Sequence, residues 1–328
     1  MTKTSTRPFR VVGVGMSPRP VPVFGWYAER WLAMQDRRAK QRLITIATLR
    51  RYHSALRAHF LPFFAARRLD QISRQDCDDF RAVALQVGLR PGTVNNLMRV
   101  LRVVLRAALT DGYITRDPLA GMPMLPTGPR LVEPYTVEEI NRLLAATPCR
   151  HRLLLGLAAL AGLRQGEVLA LRLCDVDLPN HHLVVRRSLQ RAHQGFTLAE
   201  RLGSPKTSRG YRQVPIQSSL RALIDQHLEM TRPHPDAFLC ATPRGEPYDP
   251  NWVRNHVLLP AIREAKLRPS TYQDLRRCFV AQCVAAGIPV AQTAAWLGHT
   301  IRMTAYYYSV AQPVALAGIA ALDAQTSR

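Results

Sequence analysis

Residues 153–168 read LLLGLAALAGLRQGEV. The first eleven of these are apolar or glycine and lie between Arg152 and Arg164. A membrane span needs about twenty apolar residues, so this run predicts a helix buried in a protein core. Arg164 follows directly, at a turn into a second helical stretch over about 165–171. An arginine at such a turn projects from a rigid base and can clamp a phosphate bidentately. Alone it reads more readily as a surface arginine of a basic protein. Upstream, Thr136-Val-Glu-Glu139 is a capping box ahead of Ile140, Leu143 and Leu144. Downstream, residues 182–189, with Val184 and Val185, read as a strand. Residues 213–216 read as its partner, across a long loop rich in Gly, Ser and Arg. Helices are expected again over 220–230, 252–266, 272–286 and 290–297.

The N-terminal part has its own pattern. Residues 1–22 are basic and proline-rich without a helical period, and predict a flexible arm. Phe24, Tyr27, Trp31 and Met34 then recur at three- and four-residue spacing, followed by Leu49, Tyr52, Leu56 and Phe60. Ser73 and Asp76 form a capping signal before Phe80, Val83 and Ala84. A fourth helix over 93–109 buries Val94, Leu97, Val100, Leu101, Val104 and Leu105. The aromatic stripe reads as core. Residues 118–134 contain five prolines and two glycines and predict a linker. The expected organisation is an arm (1–22), a helical domain (23–117), a linker (118–134) and a second domain (135–328). The fold class is mainly α with a small antiparallel β-sheet.

Forty-five Lys+Arg against twenty-three Asp+Glu give the 328 residues a net charge of +22. Residues 1–118 hold 21 basic and 8 acidic side chains, and residues 131–328 hold 23 and 15. A field of that sign favours a polyanion, most often nucleic acid, and both halves are placed to touch it. No apolar core followed by a cleavage signal stands at the N-terminus, so no secretory signal is expected. The six cysteines, at 77, 149, 174, 240, 278 and 283, form no C-x-x-C pair. A reduced, cytoplasmic setting without structural zinc or disulfides fits them, and no membrane association is expected.

Several chemistries find no support. There is no Walker-type loop, and Gly13-Val-Gly15 is too short for a dinucleotide fingerprint. His181-His182 and the group Asp76, Asp78, Asp79 lack metal-ligand spacing and read as capping or solvated residues. No carboxylate set suggests two-metal nuclease chemistry. What remains is a series in the second domain: the box Ala161–Glu167, a basic segment Ser204-Pro-Lys206-Thr-Ser-Arg-Gly-Tyr-Arg-Gln-Val-Pro-Ile216, Gln273-Asp-Leu-Arg276, Leu297-Gly-His299 and Tyr306-Tyr-Tyr308. The chain has only four lysines against forty-one arginines, so Lys206 is not mere basic filler.

In this order the series resembles the tyrosine recombinase (phage integrase) family. That family joins an A-G-L-R-x-G-E box, a hairpin lysine, an H-x-L-R box, an L-G-H box and a tyrosine about nine residues beyond it. The resemblance covers about 175 residues of the second domain and departs from the pattern at Gln273, where the family usually has histidine. It implies a helical core-binding domain followed by an α+β catalytic domain. The implied activity is site-specific strand cutting and rejoining through a 3′-phosphotyrosine, without metal, ATP or other cofactor. The implied partner is double-stranded DNA, with a homo-tetramer on synapsed sites and a monomer or weak oligomer in free solution. By resemblance, Tyr308 is the nucleophile, Arg164, Arg276 and His299 bind the phosphate, and Lys206 protonates the leaving oxygen. Glutamine donates and accepts hydrogen bonds but takes no proton at neutral pH, so Gln273 positions an oxygen or else weakens the enzyme. Glu167 either orients an arginine or is an ordinary helix-surface glutamate. The apolar segment Val314–Leu322 is expected to form a tail helix, which either packs on its own domain or, as the resemblance implies, docks on a neighbouring protomer. A type IB topoisomerase, or a DNA-binding regulator that lost catalysis, would share much of this series.

Overall fold

The computed structural model describes residues 20–128, 133–203 and 210–311. The chain divides between Gly128 and Pro129 into two compact units. Lys206, the arm through residue 19 with Gly13-Val-Gly15, part of the expected linker (129–132) and the expected tail helix fall outside the described residues.

The first unit is built from α1 (Phe24–Lys40), α2 (Ile46–Ala55), α3 (Leu61–Phe64), α4 (Arg74–Gln86) and α5 (Pro91–Thr110). A π-helical turn, Leu56–Phe60, joins α2 to α3 without interruption. It lies just ahead of Pro62, which has no N–H to give to the preceding turn, so the helix widens there and continues. A second π turn, Arg254–Leu258, precedes Pro260 in the other unit. Ser73 and Asp76 form a reciprocal capping box at the start of α4. The aromatic stripe is core: Phe24, Tyr27, Trp31, Phe60, Phe64 and Phe80 are all buried. Met34 and Val83, expected on that face, are exposed instead. Part of the proline-rich stretch after residue 118 belongs to this core, because Leu119 and Met122 are buried in it.

In the second unit α6 (Val137–Ala145) opens on the Thr136/Glu139 capping box. α7 (Cys149–Ala161) is buried on every side from Leu153 to Ala161. It is followed by α8 (Gln165–Ala170), β1 (Val176–Asp177), β2 (His182–Val185) and β3 (Ser188–Leu189). Next come α9 (Leu198–Arg201), β4 (Leu202–Gly203) and β5 (Arg212–Pro215). The rest is helical: α10 (Ser218–Thr231), α11 (Pro250–Val253), α12 (Leu259–Glu264), α13 (Tyr272–Ala285), α14 (Val290–Leu297) and α15 (Ile301–Ala311).

The strand expected over 182–189 is two strands in two sheets. β2 lies between β1 and β5 in an antiparallel sheet, with Leu183 opposite Val214 and Val185 opposite Arg212. β3 pairs with β4. The break falls at Arg186 and Arg187, which turn to the buried carboxylate of Asp175. α7 lies against α10 and α13, and Gln282 of α13 donates to the Ala159 carbonyl (2.9 Å). No helix among the described residues is long and apolar enough to cross a membrane.

Candidate active site

Two glycines stop two helices at the centre of the second unit. α7 ends at Gly162 (φ 62°) and α14 at Gly298 (φ 63°), both left-handed. A Cβ on Gly162 would stand 2.6 Å from the Phe279 ring and 2.8 Å from Leu297. A helix C-terminus leaves carbonyls unpaired and carries partial negative charge, which suits a cation. Arg276, on α13 and 1% exposed, is that cation. It donates from Nη1 to the Gly162 carbonyl (2.5 Å) and from Nη2 to the Leu297 carbonyl (2.5 Å) and His299 Nε2 (2.7 Å). The glycines of the A-G-L-R and L-G-H boxes therefore aim two helix ends at one guanidinium. Burial, with the charges of Arg164 and Arg212 and against that of Glu167, lowers its pKa to about 9. It remains a cation at neutral pH.

Glu167 is not a helix-surface glutamate: it is 3% exposed and surrounded by guanidiniums. Its carboxylate accepts from the Arg164 backbone N–H (2.8 Å), Arg164 Nη1 (2.8 Å), Arg212 Nη1 (3.0 Å) and Arg212 Nη2 (2.7 Å). Arg276 Nη1 stands 3.7 Å away. Burial alone would raise the pKa, but the hydrogen bonds and charge of Arg212, then the charges of Arg276 and Arg164, outweigh it and hold the carboxyl at about 2. Gly166 permits the site's approach to the β3–β4 ribbon, since a Cβ there would meet the Leu189 carbonyl oxygen at 2.6 Å.

The tautomer of His299 follows from its partner. Guanidinium nitrogens only donate, so Nε2 must accept from Arg276 and the proton sits on Nδ1. Burial, then the charges of Arg276, Arg164 and Arg212, depress this imidazole to about 3, so it is neutral at any working pH. Nδ1 of His299 and Nε of Arg276 are buried and have no hydrogen-bond partner among the described residues. Arg164, by contrast, keeps 40% of its side chain exposed. The site thus combines three guanidiniums, one carboxylate and a neutral imidazole with unspent donors, a net charge of about +2 awaiting an anion.

Sequence reasoning passed over Arg212. Its signal was present: in β5 and the residue after it, Arg212, Val214 and Ile216 are buried and alternate with less buried neighbours, and an arginine on the core side of a strand requires a partner. Gln273 is exposed on the first turn of α13, three residues before Arg276. Asp76 is occupied in capping Ser73, and Asp78 pairs with Arg81, as the capping reading expected.

The tyrosines are arranged differently from the arginines. The Tyr307 ring stacks on His299 at 5.8 Å, with the Arg277 guanidinium 5.6 Å from its centroid. The Tyr308 hydroxyl donates to the Ile288 carbonyl (2.7 Å) and lies 2.6 Å from Thr293 Oγ1. Burial raises its pKa. The structure joins Arg164, Glu167, Arg276 and His299 in one network, and holds the Tyr308 oxygen in hydrogen bonds outside it.

The family model described as the phage integrase family matches residues 132–313, more than half of the chain and every box of the site. The chain belongs to the phage integrase family. It is a tyrosine recombinase. Among relatives of this recombinase, the prophage phiRv2 integrase of Mycobacterium tuberculosis is 29% identical over 307 residues, covering 90% of this chain and 76% of that protein. A XerC-like tyrosine recombinase of Caldanaerobacter subterraneus is 25% identical over 253 residues, covering 68% of this chain and 63% of the other. The fold is shared with the Tn1549 transposon integrase in complex with a circular intermediate DNA (TM-score 0.72, 20% identity, 91% and 99% of the two chains). It is also shared with a lambda integrase tetramer bound to a Holliday junction (TM-score 0.68, 18% identity, 88% and 78%).

Proposed function

We propose that this recombinase cuts and rejoins duplex DNA at specific sites through a 3′-phosphotyrosine on Tyr308. The observation that carries the reading is the convergence of Arg164, Arg212 and Arg276 on the buried Glu167, beside a neutral His299 with a free Nδ1–H. A phosphodiester enters with one negative charge and gains a second as the phenolic oxygen adds, so a dry site of net positive charge binds the transition state more tightly than the substrate. Arg164 and Arg276 contact the nonbridging oxygens, and His299 donates to one of them. The bond Tyr308 Oη–P forms and P–O5′ breaks. The phenol releases its proton to water, while Lys206 protonates O5′. An arginine would not yield a proton as easily. Gln273 positions an oxygen. A new 5′-hydroxyl reverses the step, and the bond energy held in the phosphotyrosine makes ATP unnecessary.

To attack, Tyr308 must leave Thr293 and the Ile288 carbonyl. Its hydrogen-bonded oxygen and raised pKa describe a resting nucleophile. The helical first unit serves as the core-binding domain and the second as the catalytic domain, both drawn to duplex DNA by their net positive charge. A homo-tetramer forms on synapsed sites, as lambda integrase does on a Holliday junction. The enzyme works on the chromosome, in the cytoplasm.

The test is a plasmid carrying two copies of the attachment site drawn from the DNA flanking the gene. Recombinant circles formed in EDTA without ATP support the proposal. Relaxed plasmid without recombinants supports topoisomerase action instead, and DNA binding without any strand breakage refutes both.

A further inference from the structure

We infer that Arg212 is a positioning residue for strand cleavage: it holds Glu167 in the orientation that keeps the carboxylate off Arg276 and leaves that guanidinium for the phosphate. The inference rests on the recombinase reading of the same site. The Arg212 side chain is only 4% exposed, so it acts through its neighbours rather than on DNA. Its hydrogen bonds reach three separate segments. Nη1 and Nη2 occupy the two oxygens of Glu167, on α8. Nε donates to the Trp296 carbonyl (2.6 Å) at the end of α14, and Nη1 also donates to the Gly210 carbonyl (3.3 Å) at the entry to β5.

The last turn of α14 shows why this matters. Its final carbonyls are all occupied: Ala294 by the His299 N–H, Ala295 by the Gly298 N–H, Trp296 by Arg212 and Leu297 by Arg276. Backbone and two guanidiniums together fix the helix end that carries His299. Two of those four anchors are arginines, and both also face Glu167.

Without Arg212 the buried carboxylate would keep its bonds to the backbone N–H and Nη1 of Arg164 and lose its bidentate, buried counter-charge. Arg276 Nη1 stands 3.7 Å from Glu167 Oε2, just outside hydrogen-bond reach. A buried charge that has lost one of its partners draws in the next cation within reach. Arg276 would close on Glu167 at the expense of its bonds to Gly162 and Leu297, so a second phosphate-binding guanidinium, besides Arg164, would be engaged by the carboxylate. Arg212 therefore prevents Glu167 from competing with the substrate.

The experiment is single-turnover formation of the covalent complex on a nicked duplex bearing the site, with the full chain in excess, reading rate constant and amplitude separately. Arg212→Met is expected to slow the rate constant about 100-fold with DNA affinity within about threefold of the parent. Arg212→Lys keeps the buried charge, but one ammonium cannot span both oxygens and the Trp296 carbonyl, and a loss of about tenfold is expected. The double variant Arg212→Met/Glu167→Gln should recover about tenfold over Arg212→Met, because a neutral amide no longer captures Arg276. A merely structural Arg212 would lower the amplitude and the melting temperature and leave the rate constant unchanged; that result, or a double variant no faster than Arg212→Met, overturns the inference. No adduct from the unsubstituted chain overturns the recombinase reading itself, and the inference with it.

Discussion

Replacing Glu167 by glutamine tests the electrostatics of the site with almost no change of shape. The amide keeps one acceptor and turns an NH2 group toward guanidiniums that already approach at 2.7, 2.8 and 3.0 Å. Three cations then share a dry pocket without a counter-charge. Two routes give the size of the effect. Breaking a buried ion pair by removing one partner costs about 3–5 kcal/mol. Independently, a carboxyl held at about 2 against its ordinary 4.5 contributes stability on the order of 3 kcal/mol at neutral pH. For a unit of this size that corresponds to a fall in melting temperature of roughly 6–12 °C. The sign with pH is fixed by the depressed value: the contribution is complete above about 4.5 and disappears as pH falls toward 2. The assay is chemical denaturation of Glu167→Gln and the parent between pH 4 and 8. The variant should be weaker by about 3 kcal/mol near pH 7, with the gap narrowing toward pH 4. A difference below about 1 kcal/mol at pH 7 would refute the claim that this carboxylate neutralises the arginines.

Thr293→Val removes one of the two hydrogen bonds on the Tyr308 hydroxyl and retains the volume. A neutral hydrogen bond is worth about 1 kcal/mol, so covalent-complex formation should rise about two- to tenfold; an unchanged or slower rate constant speaks against a resting nucleophile. His299 is held near 3 while the unfolded chain binds a proton at its ordinary 6.5, so stability should fall as pH drops below 6.5, by at most about 1.4 kcal/mol per pH unit. His151 and His227, also lowered by burial, add to the slope, so His299→Gln should be shallower than the parent between 6.5 and 4.5, and equal slopes would contradict the buried neutral imidazole. Gln273→His should change the cleavage rate by less than about threefold if the side chain only positions an oxygen. A gain of about a hundredfold with a pH limb near 6.5 would show that a base is needed there.

The sequence carried the parts of this site whose geometry is local. The A-G-L-R-x-G-E and L-G-H boxes were legible as local structure because Gly162 and Gly298 are helix stops, a property of the chain itself. The capping boxes at Ser73 and Thr136 were legible for the same reason. Arg212 escaped because the strand holding it was expected to start one residue later, so its inward register was not seen. The division of residues 182–189 between two sheets depends on Asp175 capturing Arg186 and Arg187, a tertiary contact without a local signal. Met34 and Val83 followed the helical period and still face solvent, since periodicity identifies a helix face but not where the covering neighbour ends. The placement of Tyr308 was the least legible. Spacing from His299 selects it by number, whereas its hydrogen bonds to Thr293 and Ile288 arise only when α14 and α15 pack together.

The most direct measurement is to trap the adduct on a nicked duplex, digest it, and identify the nucleotide-bearing peptide by mass spectrometry. The phosphate should be on Tyr308, with no adduct from Tyr308→Phe and an adduct still formed by Tyr307→Phe. A nucleotide on Tyr307, or an adduct that survives in Tyr308→Phe, would contradict the account.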